Sequence, residues 1–139
     1  MALLVAALGG LAQMADAAAA DLVLRVVGLR SDRGAVHYAV YDSPAHFPSY
    51  EGRVAKGKAD PQGDLAVVRI RGLPPGTYAV AVFHDENGND SFDQGLFGIP
   101  LEDYGFSNDA RGFFSAPSFE SAAFRVQDPV TEIVIDLRQ

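Results

Sequence analysis

The residues with the clearest chemical potential lie in one acidic segment, residues 84–109, here called the acidic loop. It holds no Lys or Arg and seven carboxylates, namely Asp85, Glu86, Asp90, Asp93, Glu102, Asp103 and Asp109. So many like charges repel one another unless a cation relieves them. Oxygen-bearing residues recur in the spacing Asp85-x-Asn87-x-Asn89-x-x-x-Asp93. This places oxygens at relative positions 1, 3, 5 and 9 of a loop, a pattern that binds Ca²⁺.

The spacing predicts a Ca²⁺ site with five ligands: the side chains of Asp85, Asn87, Asn89 and Asp93, and the backbone carbonyl of Ser91 at position 7. Two positions depart from an EF-hand loop. Asp90 stands at position 6, where Gly is preferred, and Leu96 stands at position 12, where a bidentate Glu is usual. We expect Glu102 or Asp103 to supply the missing carboxylate. The alternative is a turn whose Asn and Asp side chains cap their own backbone.

His84 precedes Asp85 and lies near several carboxylates, an arrangement that could provide a general base. The alternative function is therefore a hydrolase that uses His84 and carboxylates of the acidic loop. No Ser, Thr or Cys lies in a recognisable nucleophile motif, however, and the three histidines are dispersed. We assign no catalytic residue.

Aromatic residues are concentrated in and beside the acidic loop: Phe92, Phe97, Tyr104, Phe106, Phe113, Phe114 and Phe119. We interpret them as a small satellite core that holds the loop against the domain. The other interpretation is a carbohydrate-binding module, which needs two or more exposed, coplanar rings among Phe92, Phe97, Tyr104 and Phe113.

Length and charge suit a single domain of 139 residues with a formal charge of −7. This charge argues against nucleic acid and against an anionic membrane surface, because both are polyanions. The absence of cysteine excludes disulfides and thiolate chemistry. Residues 1–20, apolar and ending in small residues, predict a signal peptide, and thus a periplasmic or secreted domain over residues 21–139. The apolar run at 2–12 is too short to span a membrane.

After residue 20, period-two alternation and regular turn signals predict seven strands, at 21–29, 35–41, 53–59, 64–70, 77–84, 118–126 and 130–137. The charged third strand should lie at a sheet edge. Tyr78, just after the turn Leu73-Pro74-Pro75-Gly76, should tie its hydroxyl to nearby backbone. The predicted fold is all-β: one seven-stranded antiparallel β-sandwich, immunoglobulin-like, with one long acidic loop. The run Pro74-Pro75-Gly76-Thr77-Tyr78 also resembles prealbumin-like sandwich modules.

Several runs resemble a known family: Leu73-Pro74-Pro75-Gly76-Thr77-Tyr78, His84-Asp85-Glu86-Asn87-Gly88-Asn89, Phe97-Gly98-Ile99-Pro100, Tyr104-Gly105-Phe106-Ser107-Asn108 and Pro117-Ser118-Phe119-Glu120. In their order they resemble the exported bacterial proteins grouped as domain of unknown function 2141. The resemblance implies an exported β-rich domain and brings no activity with it. Together with the loop, it favours a Ca²⁺-stabilised binding or structural module of the cell envelope. The expected partner is an envelope protein or polysaccharide.

Overall fold

The computed structural model describes residues 18–113 and 115–138, and only the backbone of Phe97. The predicted signal peptide therefore lies mostly outside the described residues. The described chain forms eight strands: β1 Ala20–Val27, β2 Ala35–Tyr41, β3 Arg53–Ala59, β4 Leu65–Leu73, β5 Gly76–Asp85, β6 Tyr104–Phe106, β7 Phe124–Val126 and β8 Val130–Asp136. One short helix, α1, spans Phe119–Ala122, and 3₁₀ turns occur at Pro44–His46, Leu96–Gly98 and Ser107–Asp109.

The first sheet has the strand order β4-β1-β8. β1 pairs antiparallel with β4 and parallel with β8. The predicted sandwich of seven antiparallel strands is wrong in these two respects, strand number and direction. Alternation identifies the buried face of a strand but not the direction of its neighbour. The extra strand, β6, is three residues long and lies within the acidic loop. The polar residues around it obscure its alternating pattern in the sequence.

The second sheet has the order β3-β2-β5-β6, and β7 pairs with the beginning of β5. The predicted edge position of β3 is confirmed. One core cluster joins the facing sides of the two sheets, and it includes Leu22, Leu24 and Val26 from β1, Val36 and Val40 from β2, and Val80 and Val82 from β5. These are alternate residues along each strand, so the intervening residues of β2 and β5 face outward.

The segment predicted as a strand at 118–126 divides into a helical turn and a strand. The Ser118 hydroxyl caps α1 by accepting the backbone N–H of Ser121 at 3.1 Å. Phe119 and Ala122 are both buried, because residues three apart share one face of a helix. Only Phe124–Val126 is extended. The capping serine and the Phe119–Ala122 spacing outweigh the strand propensity of this segment.

Tyr78 lies in the core cluster, and its hydroxyl donates to the carbonyl of Pro74 at 2.5 Å. This contact confirms the predicted tie between the tyrosine and the turn before its strand. It fixes the start of β5, the strand whose far end leads directly into the acidic loop. No helix among residues 18–113 and 115–138 is long and apolar enough to cross a membrane.

Candidate metal centre

The acidic loop begins at the end of β5, and the last residue of that strand, Asp85, lies on the outward face of the second sheet. Its side chain is 1% exposed. The backbone N–H groups of Asn89 and Asp90 donate to its two oxygens at 3.2 and 2.8 Å, and His37 Nε2 lies 3.1 Å from Oδ2. Burial raises the pKa of Asp85, but these three contacts outweigh it and leave the pKa below its usual value. Asp85 is therefore a buried carboxylate that organises the turn.

Asp90 occupies the turn position for which the Ca²⁺ pattern prefers Gly. It adopts a left-handed backbone conformation with φ of 59°. Aspartate tolerates this region better than most residues. The Asp90 carboxylate also accepts from Lys58 Nζ at 2.9 Å. The turn at position 6 is therefore made without glycine.

The predicted ligands Asn87, Asn89 and Asp93 are brought together. The side-chain amides of Asn87 and Asn89 donate to the two carboxylate oxygens of Asp93, at 2.7 and 2.8 Å. Their amide oxygens accept backbone N–H groups instead, from Asn89 at 3.3 Å and from Ser91 at 3.0 Å. The amides must rotate before their oxygens can ligate a metal at Asp93. The arrangement thus also contains the self-capped turn that was the alternative.

Glu102 is one of the two residues that could supply the carboxylate missing from position 12 of the Ca²⁺ pattern. Backbone pairing between Leu101 N–H and Asp93 O, at 2.9 Å, brings it to the turn. Its Oε1 accepts the Asp93 N–H at 2.8 Å. Its Oε2 is buried, and no described residue donates a hydrogen bond to it. Burial raises the pKa of Glu102, and the Asp93 N–H opposes this rise. The negative charges of Asp93 and Asp85 raise the pKa further, as does a side-chain hydrogen bond with Asp85, which favours the protonated carboxyl.

Asp103 was the other candidate for the missing carboxylate. Asp103 is paired with Arg30 at 2.6 Å. Glu86 is also partnered, since its carboxylate accepts from Ser31 and Arg33. Leu96, at the nominal position 12, is 82% exposed. Among these residues, only Glu102 directs an uncompensated oxygen toward the cluster.

A second group of possible ligands lies on the opposite side of Asp85. The ligand atoms of His37, Asp85 and Asp90 lie within 4.8 Å of one another. Lys58 already neutralises Asp90, and the His37 ring stacks on Phe83 with ring centroids 4.6 Å apart. Sequence reasoning missed this group, because His37 and Lys58 reach the loop only through the β2–β5 and β2–β3 registers. A divalent cation here would compete with a lysine.

His84, the residue of the hydrolase alternative, is fully buried on the core side of β5. Its Nε2 lies 2.7 Å from the carbonyl of Arg33. Its Nδ1 is buried and has no hydrogen-bond partner among the described residues. The structure thus directs His84 to the backbone of the β1–β2 turn, and no described carboxylate hydrogen-bonds it as a catalytic pair would require.

The described aromatic residues form a connected series over the outward face of the second sheet. Phe92 contacts Phe83 and Tyr104, with centroid separations of 5.3 and 5.8 Å, and Phe106 continues the series to Phe47. This supports the predicted satellite core. Phe92 and Tyr104 meet at 72°, so they do not form a coplanar platform. Phe113 is 87% exposed, whereas the side chains of Phe97 and Phe114 are outside the described part of the chain.

The fold and the site define a two-sheet all-β domain whose long acidic loop is folded around a buried aspartate. A family model described as "Uncharacterized protein conserved in bacteria (DUF2141)" matches residues 24–134. The chain belongs to this family, and the resemblance seen in its sequence motifs is confirmed. No curated protein and no solved structure matches the chain.

Proposed function

We propose that this protein is an exported, Ca²⁺-stabilised binding or structural module of the cell envelope, and that the acidic loop holds the ion. The observation that carries the proposal is the buried Oε2 of Glu102, which has no hydrogen-bond donor among the described residues and lies near two other carboxylates. A buried carboxylate oxygen without a hydrogen-bond donor is unfavourable by roughly 1–3 kcal/mol or more. A cation bound beside it would remove that penalty.

The proposed ligand set is the sequence-predicted one with Glu102 added: Asp85, Asn87, Asn89, Asp93, the carbonyl of Ser91, and Glu102. These groups provide six oxygen donors, or seven if Glu102 binds through both oxygens. Ca²⁺ takes 6–8 oxygen ligands in flexible geometry, whereas Mg²⁺ requires a tighter octahedron and retains water. Zn²⁺ prefers nitrogen and sulfur. The donor set therefore favours Ca²⁺.

The hydrogen bonds around Asp93 suggest how the loop would respond to the ion. Two amide N–H groups now donate to Asp93, one from Asn87 and one from Asn89. They supply the positive ends of dipoles where the ion would supply charge. On binding, each amide would rotate to present its oxygen, and the two backbone N–H groups that these oxygens accept would need other acceptors. The two states differ by local rotations, so the strands need not move.

Calorimetric titration of the purified protein with Ca²⁺, alongside melting curves in Ca²⁺ and in chelator, tests the proposal. A ligand at 100 times its Kd stabilises the native state by about 2.7 kcal/mol, or roughly 10 °C in Tm for a domain of this size. Asp85→Ala should abolish the heat of binding and the shift. Glu51→Gln, in an exposed turn elsewhere, is the control and should retain both. A melting temperature that is the same in Ca²⁺ and in chelator, together with no heat of Ca²⁺ binding, would refute the proposal.

A further inference from the structure

The last strand, β8, has a hydrogen-bonded neighbour on one side and an open edge on the other. It ends the first sheet, and among the described strands it pairs only with β1. The bond from Leu137 N–H to Val27 O, at 3.0 Å, shows that its odd-numbered residues are directed to β1. Successive residues of a strand direct their N–H and C=O groups to opposite sides. Val130, Glu132 and Val134 therefore direct theirs to the open edge.

The chain itself covers only the last part of this edge. Asp136 is the next residue directed outward, and its N–H donates to Oδ1 of Asp109 at 2.9 Å. Among the described residues, none accepts a hydrogen bond in this way from the N–H of Glu132 or Val134. The open part of the edge is therefore residues 130–134.

The open edge of β8 also lacks the charges that protect the other long edge strands. β3 ends the second sheet, and β4 lies at the opposite edge of the first. Both carry basic residues: Arg53, Lys56 and Lys58 in β3, and Arg69 and Arg71 in β4. Charged residues at an edge, lysine in particular, oppose the addition of another strand. Residues 130–134 contain one charged residue, Glu132, and Arg25 of β1 is paired with it.

We infer that two copies of this chain associate by antiparallel pairing of their β8 strands, so that the two first sheets join into one. A two-fold axis beside Glu132 places this residue opposite its equivalent, and Val130 opposite Val134 of the other copy. The outward N–H and C=O groups of residues 130–134 then pair with one another, in about six hydrogen bonds. The backbone of this edge is thus complementary to itself.

The side chains of this edge fit the same arrangement. Val130 and Val134 are 43% and 49% exposed on the outward face of the first sheet. The two-fold axis brings them together twice, and cross-strand aliphatic pairs stabilise a sheet. Two glutamates opposite each other are unfavourable, but each copy supplies Arg25 beside its Glu132. This self-complementarity favours a second copy over an unrelated strand. The inference does not depend on the proposed metal, because none of its ligands lies on the first sheet.

Sedimentation velocity over a range of protein concentrations tests the inference. Wild type should show an equilibrium between monomer and dimer. Val134→Lys should raise the Kd of the dimer about 100-fold, about tenfold for each of its two copies, because the valine contact is lost and lysine opposes pairing. Val67→Lys is the matched control and should dimerise like wild type. Val67 and Val134 lie on either side of Arg25 and are similarly exposed, but Val67 belongs to β4.

The register of the paired strands can be tested by cross-linking, because the chain contains no cysteine. Glu132→Cys should form a disulfide-linked dimer when Cu²⁺-phenanthroline is added as oxidant, since residues opposed at the axis have Cα atoms about 5.5 Å apart. Val130→Cys and Val134→Cys should cross-link when mixed, and neither should cross-link alone. Val67→Cys should remain uncross-linked.

Several results would overturn the inference. They are a wild-type protein that stays monomeric at millimolar concentration, a dimer that a folded Val134→Lys variant leaves intact, and a dimer that Glu132→Cys does not cross-link. Pairing of β8 with an unrelated extended peptide, in a chain that stays monomeric, would also overturn it. If Val134→Lys does not keep the far-UV circular dichroism of wild type, the cross-linking decides. A dimer without any effect of Ca²⁺ on melting would overturn the proposed function and leave this inference standing.

Discussion

Glu102→Gln gives the sharpest test of how the acidic loop is stabilised, because its effect should reverse with Ca²⁺. Glutamine keeps the oxygen that accepts the Asp93 N–H at 2.8 Å. It replaces the buried, unpartnered oxygen with an NH₂ group, a donor that can face Asp85 and Asp93. The repulsion between residue 102 and these two carboxylates is thereby replaced by attraction. We expect the metal-free variant to be more stable than wild type by about 1 kcal/mol at pH 7, a typical value for one hydrogen bond gained.

The sign of the pH dependence follows from the raised pKa of Glu102. Its folded pKa lies above the ordinary 4.5, so the native state favours the protonated carboxyl. Its contribution to wild-type stability is fully present below the unfolded pKa and is lost as the pH rises through the folded value. The advantage of Gln should therefore be small near pH 4 and reach its full size at neutral pH. Ca²⁺ should reverse the order, because wild type gains about 2.7 kcal/mol at 100 times Kd and the variant gains little.

Urea denaturation followed by far-UV circular dichroism and tyrosine fluorescence can measure these differences, since the chain has five Tyr and no Trp. The curves are needed at pH 4 and 7, each in chelator and in Ca²⁺, with Glu51→Gln as the matched control. If metal-free Glu102→Gln is less stable than wild type at pH 7, the buried oxygen is not in a repulsive environment. Glu102 would then give no physical reason for a cation to bind in the acidic loop.

Three further predictions concern the frame that holds the loop. Tyr78→Phe removes the hydroxyl bonded to the carbonyl four residues earlier and should cost about 1 kcal/mol of unfolding free energy; no loss in urea would contradict the tie. Ser107→Ala removes a buried hydroxyl that donates to the Ala122 carbonyl at 2.5 Å and should cost about 1–3 kcal/mol, whereas a neutral result would mean that water replaces it. Arg138 lowers the pKa of Asp136 to about 2, which contributes stability above pH 3.8 that is lost as the pH falls toward 2. Asp136→Asn should flatten this part of an acid titration, and an unchanged acid limb would argue against the pair.

Local patterns in the sequence predicted much of the fold. Alternation and turn signals together located β2 and β3 at the bounds that the structure has, and alternation placed Leu22, Leu24 and Val26 on one face of β1, which is the buried face. The errors have a common origin. Parallel pairing of β1 with β8 depends on how the chain crosses between sheets. β6 is held by pairing with β5, and its own three residues carry too little pattern to be detected.

In the candidate site, too, the contacts between residues close in sequence could be predicted, and the contacts between distant residues could not. Asp85, Asn87, Asn89 and Asp93 are close in sequence, so a tight turn necessarily brings them together. His37 contacts Asp85 because β2 pairs with β5, a register that no local pattern contains. The sequence limited the missing carboxylate to two candidates, Glu102 and Asp103, but could not choose between them. The preference for Glu102 depends on Arg30, which pairs with Asp103 through a contact between residues distant in sequence.

The two sides of Asp85 differ in how their charge is compensated, and this difference is the main argument for an external cation. On the side of β2 and β3, the protein supplies its own partners: His37 lies 3.1 Å from Asp85, and Lys58 pairs with Asp90 at 2.9 Å. On the side of Asp93 and Glu102, the hydrogen bonds that these two carboxylates accept come from neutral N–H groups, and Arg33, which lines the same concavity, is paired with Glu86. A turn that needed only to cap itself would not require a second carboxylate there. Glu102 adds charge to a cluster that is already acidic, which costs stability unless a cation or a proton neutralises it.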